Sequence, residues 1–181
     1  MTVNYSFEAL KALVVEDSAQ MRDLLKLMLH AMRIKNVATA SDGSEAFEIL
    51  RRQRPDFVIT DLEMLPLDGI EFVRLIRRAH DSPAPYMPVI MLTGYTEIGR
   101  VSRARDAGVN EFLAKPITAK ALNSRIIEIV ERPRPFIKCA SYFGPDRRRR
   151  DDPYYMGPFR RASDEDNATS ETPAPIESKA G

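Results

Sequence analysis

One cysteine, Cys139, is present among 181 residues, so no disulfide can close within the chain. The fold must rest on an apolar core, and the composition suits a reducing cytosol. No apolar run approaches the roughly 20 residues that a membrane-crossing helix needs, so membrane insertion is excluded on this reading. The N-terminus lacks a basic flank followed by a long apolar stretch and does not read as a signal peptide. A cytoplasmic location is the expectation. Aliphatic residues are scarce from Pro133 onward, where Pro133, Pro135, Pro145, Pro153, Pro158, Pro173 and Pro175 interrupt the chain. That stretch has no periodicity for a helix-turn-helix or a catalytic fold. Net charge is only +1, which hides an uneven distribution. The chain is balanced to residue 132, basic from 133 to 161 and acidic beyond.

What is present lies mostly before residue 132. Short apolar runs alternate with segments of helical spacing. Leu10–Val15 reads as a strand that runs into Glu16 and Asp17. A helix follows over Met21–Met32, with Ser18 as its N-cap and with Arg22, Asp23 and Lys26 on its polar face. Val37–Ala40 is a second strand and Ser44–Gln53 a helix. Phe57–Thr60 is a strand ending at Asp61, and Ile70–Arg78 a helix. Val89–Leu92 is a strand ending at Thr93, and Ile98–Ala107 a helix stopped by Gly108. Glu111–Ala114 is a last short strand running into Lys115, and Thr118–Val130 the closing helix. Alternation of this kind predicts an α/β fold, a (βα)5 doubly wound parallel sheet covered on both faces. The expected domain is 8–131. The expected tail, 132–181, is disordered, Pro/Arg-rich and then acidic. One short pattern repeats in it: Tyr142-Phe-Gly-Pro-Asp-Arg-Arg148 returns as Tyr155-Met-Gly-Pro-Phe-Arg-Arg161. Two short copies are too few for a solenoid.

Four strand ends carry polar groups: Glu16–Asp17, Asp61, Thr93 and Lys115. Singly, each has an ordinary reading as a turn former, a helix-start residue or a solvated lysine. In a parallel sheet, however, these ends converge on one edge. Carboxylates meeting there repel by roughly 1–4 kcal/mol per pair. A hard divalent cation such as Mg²⁺ offsets this with oxygen ligands and draws phosphoryl oxygens to the same place. Asp61 then attacks phosphorus, Lys115 supplies a point charge and Thr93 a hydroxyl donor.

The motifs Val14-Val-Glu-Asp17, Val58-Ile-Thr-Asp-Leu-Glu-Met64, Leu67-Asp-Gly69, Val89-Ile-Met-Leu-Thr93 and Phe112-Leu-Ala-Lys-Pro116 together resemble the receiver domains of two-component systems over about residues 8–131. The resemblance implies a flavodoxin-like receiver fold in a bacterial phosphorelay. Asp61 is then the phosphoacceptor, and Glu16, Asp17, Asp61 and the Glu63 carbonyl hold Mg²⁺. Thr93 and Lys115 bind the phosphoryl group, Thr93 and Phe112 form the switch pair, and Glu63 and Tyr95 govern loss of the phosphoryl group. Glu63 has two readings, orienting a water or pairing with Lys115. Tyr95 is expected over the pocket, excluding water. Three departures stand out: Leu65 shifts the loop proline to Pro66, Gly94 replaces a small Ala, and His80–Pro88 is long and rich in proline.

Read this way, the protein is a signalling phosphoacceptor and not an enzyme with a substrate of its own. Expected partners are a histidine kinase or histidine phosphotransfer protein and a target protein at the 98–130 face. The tail repeat adds a possible tail-binding partner. The alternatives are a phosphate sink or relay intermediate, or nucleic-acid binding through the basic tail. Asp146, Asp151, Asp152 and the acidic 164–171 stretch oppose the last.

Overall fold

The computed structural model describes residues 7–94, 98–139, 142–147 and 169–171. Five parallel strands form one sheet in the order β2-β1-β3-β4-β5: β1 Lys11–Val15, β2 Asn36–Ala40, β3 Phe57–Asp61, β4 Val89–Thr93 and β5 Glu111–Ala114. Between and after them run α1 Ala19–Ala31, α2 Gly43–Gln53, α3 Gly69–Arg78, α4 Ile98–Ala107 and α5 Ala119–Glu131. The (βα)5 doubly wound architecture read from the sequence is the one observed, with element ends within about two residues of expectation.

Burial explains the strand sequences. All five residues of β3 and of β4 are buried, as a central parallel strand covered on both faces requires. Alternate side chains feed two cores. Leu13, Val15, Val58 and Met91 meet Leu50, Phe72, Val73, Ile76 and Ala104 beneath α2, α3 and α4. Val14, Phe57, Ile59, Ile90 and Leu92 meet Leu25, Leu29, Leu122 and Ile126 beneath α1 and α5. Four of the helices start where short polar side chains satisfy free amides. Ser18, Asp42, Asp68 and Thr118 each accept from a first-turn N–H, and Ser18 is the cap expected for α1. Gly108 ends α4 at φ +104°, where a Cβ would be strained.

Part of the segment after α5 forms strands where a disordered tail is expected. Strands β6 Phe136–Lys138 and β7 Phe143–Pro145 form an antiparallel hairpin, and β8 Thr169–Glu171 pairs with the other edge of β6. Phe136 is 1% exposed and Tyr142 8%. The hairpin packs at the N-terminal edge of the sheet. Arg134 donates to the Asn110 carbonyl and pairs with Glu111 at 3.2 Å, where β5 begins. The proline-rich approach to β4 accounts for part of this seat: Tyr86 packs its ring 5.2 Å from both Phe136 and Phe143. Beneath them Arg77 is buried, with no carboxylate partner among the described residues. It donates to the carbonyls of Gly108, Pro85 and Met87 and to Asn110 Oδ1, and lies 5.0 Å over the Phe136 ring. Burial pushes its pKa down to about 9, opposed by Tyr142, so it stays charged at neutral pH. The rest of the expected tail, including Tyr155–Arg161, lies outside the described residues.

Candidate functional site

Glu16 and Asp17 follow β1, Asp61 closes β3, Thr93 closes β4 and Lys115 follows β5. Because the strands are parallel, all five arrive at the C-terminal edge. Register brings them together: Asp61 lies beside Leu92, Thr93 beside Ala114, and the Lys115 amide donates to the Thr93 carbonyl at 2.8 Å. Glu16, Asp61 and Thr93 are buried, whereas Asp17 is exposed. Carboxylate oxygens of Glu16, Asp17 and Asp61 all lie within 4.8 Å of one another. Lys115 Nζ is 2.9 Å from Asp61 Oδ2 and 3.4 Å from Glu16 Oε2.

The electrostatics follow from crowding. Burial, and then the charge of Asp61, raise the Glu16 pKa; Lys115 and the Ser18 amide offset this in part. Burial alone would lower the pKa of Lys115. The hydrogen bond and charge of Asp61, and then Glu16, reverse that and raise it. The ammonium is thereby held charged between two carboxylates. A set of hard oxygen donors around an uncompensated negative centre fits a small divalent cation such as Mg²⁺.

Backbone geometry fixes Asp61. Its Oδ1 accepts from the Leu62 amide at 2.9 Å. A Cβ on Gly69 would stand 2.1 Å from the Asp61 carbonyl oxygen, so only glycine lets α3 start this close to the end of β3. Leu65, which displaces the loop proline to Pro66, is 84% exposed. Two further contributions escaped sequence reading. Arg22, placed by periodicity on the polar face of α1, donates to the carbonyls of Glu16 at 2.5 Å and Asp17 at 3.0 Å and so holds the acidic loop. Glu63 pairs with Arg100 of α4 at 2.6 Å, and not with Lys115, whose carboxylate partners are Glu16 and Asp61. Nothing in the sequence signals that pair, because the partners lie 37 residues apart on different elements. Phe112 is half-buried and packs against the core under α3 and α4. Tyr95 lies outside the described residues.

Residues 12–127 match the family described as the response regulator receiver domain. The chain belongs to that family. It is 35% identical over 123 residues to the chemotaxis protein CheY of Pseudomonas aeruginosa, covering 68% of this chain and 98% of that one. It is 34% identical over 123 residues to CheY-3 of Vibrio cholerae, covering 68% and 93%. Among solved structures it resembles a receiver domain from Clostridium thermocellum at 32% identity and a TM-score of 0.61, covering 68% of this chain and 95% of that one. A putative response regulator from Chloroflexus aurantiacus aligns with a TM-score of 0.63 at 28% identity, covering 68% and 98%. This receiver domain is therefore a phosphoacceptor signalling module of two-component systems, in a family that binds Mg²⁺ at an acidic pocket. Among the described residues no helix is long and apolar enough to cross a membrane.

Proposed function

We propose that this protein accepts a phosphoryl group on Asp61 from a histidine kinase or histidine phosphotransfer protein, and signals by phosphorylation-dependent binding of a target at the 98–130 face. The observation that carries the reading is the placement of Lys115, 2.9 Å from Asp61 and 3.4 Å from Glu16 on the shared strand edge. The ammonium stands where an oxygen of a phosphoryl group on Asp61 needs a positive partner.

An Asp61 oxygen attacks phosphorus in line, the bond from phosphorus to the donor imidazole nitrogen breaks, and that nitrogen keeps the electron pair and takes up a proton. The product is an acyl phosphate. Lys115 and the Thr93 hydroxyl hold its oxygens; Asp61 itself is already aimed by the Leu62 amide. Glu16, Asp17, Asp61 and the Glu63 carbonyl are the groups that would hold Mg²⁺. Bound there, the ion neutralises charge that builds on the transferring group. Thr93 moving toward the phosphoryl group changes the space next to Phe112, which couples the site to the face of α4, β5 and α5.

The test has two arms. With acetyl phosphate and Mg²⁺, intact mass should rise by one phosphoryl group in wild type and not in Asp61→Asn. A pull-down with beryllofluoride, an acyl-phosphate mimic, should retain a target that the untreated protein does not. A wild-type phosphoryl yield in Asp61→Asn overturns the site. Loss of the phosphoryl group back to a histidine phosphotransfer protein, with no beryllofluoride-dependent partner, assigns a relay role instead.

A further inference from the structure

The Tyr-x-Gly-Pro-x-Arg-Arg repeat is not used by phosphoryl chemistry, and its first copy shows what its residues do. Tyr142 is buried, and its hydroxyl donates to the Pro145 carbonyl at 2.7 Å, closing the peptide on itself. Gly144 lies against the end of α4: a Cβ there would meet the Gly108 Cα at 2.8 Å and the Tyr142 hydroxyl at 2.6 Å. Arg147 stacks 3.9 Å over the Tyr142 ring and pairs with Asp106 at 3.1 Å. Tyr142, Gly144 and Arg147 therefore each make a contact that depends on identity, and Pro145 contributes its carbonyl.

The residues that differ between the copies have roles a substitute can fill. Phe143 packs its ring on Tyr86 and Phe136, and the second copy offers Met156, which also packs well against aromatic rings. The Asp146 amide donates to Pro135 and its carbonyl accepts from Arg134, backbone contacts that Phe159 also offers. Tyr155, Gly157 and Arg160 repeat the identity-dependent positions at the same offset of 13, with Pro158 matching Pro145.

We propose that the face formed by Tyr86, Asp106 and Gly108 is a docking site for the Tyr-x-Gly-Pro-x-Arg motif, and that residues 155–160 exchange with residues 142–147 as its occupant. Loop length sets the balance. The first copy closes a loop of four residues, 139–142, onto β6; the second closes one of seventeen, 139–155. Closure entropy favours the first copy by about tenfold. The second copy is thus a minor occupant of the intact chain and takes over when the first is disabled.

Hydrogen exchange in the full chain tests this. Peptides covering 104–110 and 136–138 should exchange about tenfold faster in Tyr142→Ala/Arg147→Ala. They should exchange at least tenfold faster again when Tyr155→Ala/Arg160→Ala is added. Equal exchange in the double and quadruple variants overturns the proposal. Protection in the double variant that grows with protein concentration also overturns it, assigning the second copy to a neighbouring molecule. A trap independent of those variants uses Asp106→Cys with Arg160→Cys in a Cys139→Ser chain. A short bismaleimide should join the two thiols within the monomer; no cross-link, or only cross-linked dimers, overturns the exchange.

Discussion

Glu16 stands at the centre of the charge balance at the phosphorylation edge. It is 2% exposed, faces Asp61 and is only partly compensated by Lys115. Its folded-state pKa is raised above the ordinary 4.5, so the folded protein binds a proton there more tightly than the unfolded chain does. That contribution to stability is complete below 4.5 and is lost as pH rises through the raised value. At neutral pH without metal, the ionised side chain costs stability. Glu16→Gln should therefore raise the melting temperature of the metal-free protein at pH 7, with the advantage vanishing below pH 4.5. Saturating Mg²⁺ should reverse the order, because the wild type gains binding free energy that the variant has weakened. Calorimetry at two pH values, with and without metal, checks both signs. An order unchanged by Mg²⁺ would remove Glu16 from the metal site. The candidate groups at this edge were legible from sequence because each ends an apolar run, and parallel strands bring such ends together. Arg22 and Arg100 were not, since a long flexible side chain can reach a carbonyl or carboxylate well off the face where periodicity puts its Cα.

The β6–β7 hairpin was illegible for a different reason. Three-residue strands carry no period to detect, and Phe136, Tyr142 and Pro145 are spaced among prolines and arginines. Their burial is supplied by Tyr86, in a stretch that reads only as a long proline-rich loop, and by the aliphatic part of Arg77. Phe136 is the keystone, 1% exposed with aromatic neighbours 5.2 and 5.6 Å away and a guanidinium over its face. Phe136→Ala opens a cavity and removes the cover from Arg77. It should cost about 3–5 kcal/mol, which for a domain of this size is roughly 10 °C in melting temperature. A loss below about 1 kcal/mol by denaturant titration would show that the hairpin contributes little to the fold.

Across the whole molecule, the hairpin and the phosphorylation site occupy opposite edges of one sheet. Sequence alone treats residues 133–181 as dispensable; the buried Phe136 and Tyr142 argue otherwise. A chain ending at Arg132 should lose at least about 3 kcal/mol, the burial of two aromatic side chains, in a denaturant titration. It should still take up a phosphoryl group from acetyl phosphate at 20 °C, where the sheet remains folded, because no residue of the C-terminal edge belongs to that segment. Unchanged stability would return residues 133–147 to the status of a passive tail. Loss of phosphorylation by a chain still folded by circular dichroism would show that the two edges communicate.

The seat of α4 has a consequence for how the protein responds to its solvent. Its described side chains place only Ala104 and Ala107 in the core, whereas α3 buries Ile70, Phe72, Val73 and Ile76. Ion pairs add to this small apolar contact, Arg100 to Glu63 at its first turn and Asp106 to Arg147 at its last. Partly exposed pairs weaken as the Debye length contracts from about 10 Å at 0.1 M salt to about 3 Å at 1 M, while buried apolar contacts do not. Amides of α4 should therefore exchange several-fold faster in 1 M sodium chloride, and those of α3 at an unchanged rate. Dissolved salt acts on this helix as a dial, loosening the surface of the receiver around α4 while leaving its sheet untouched.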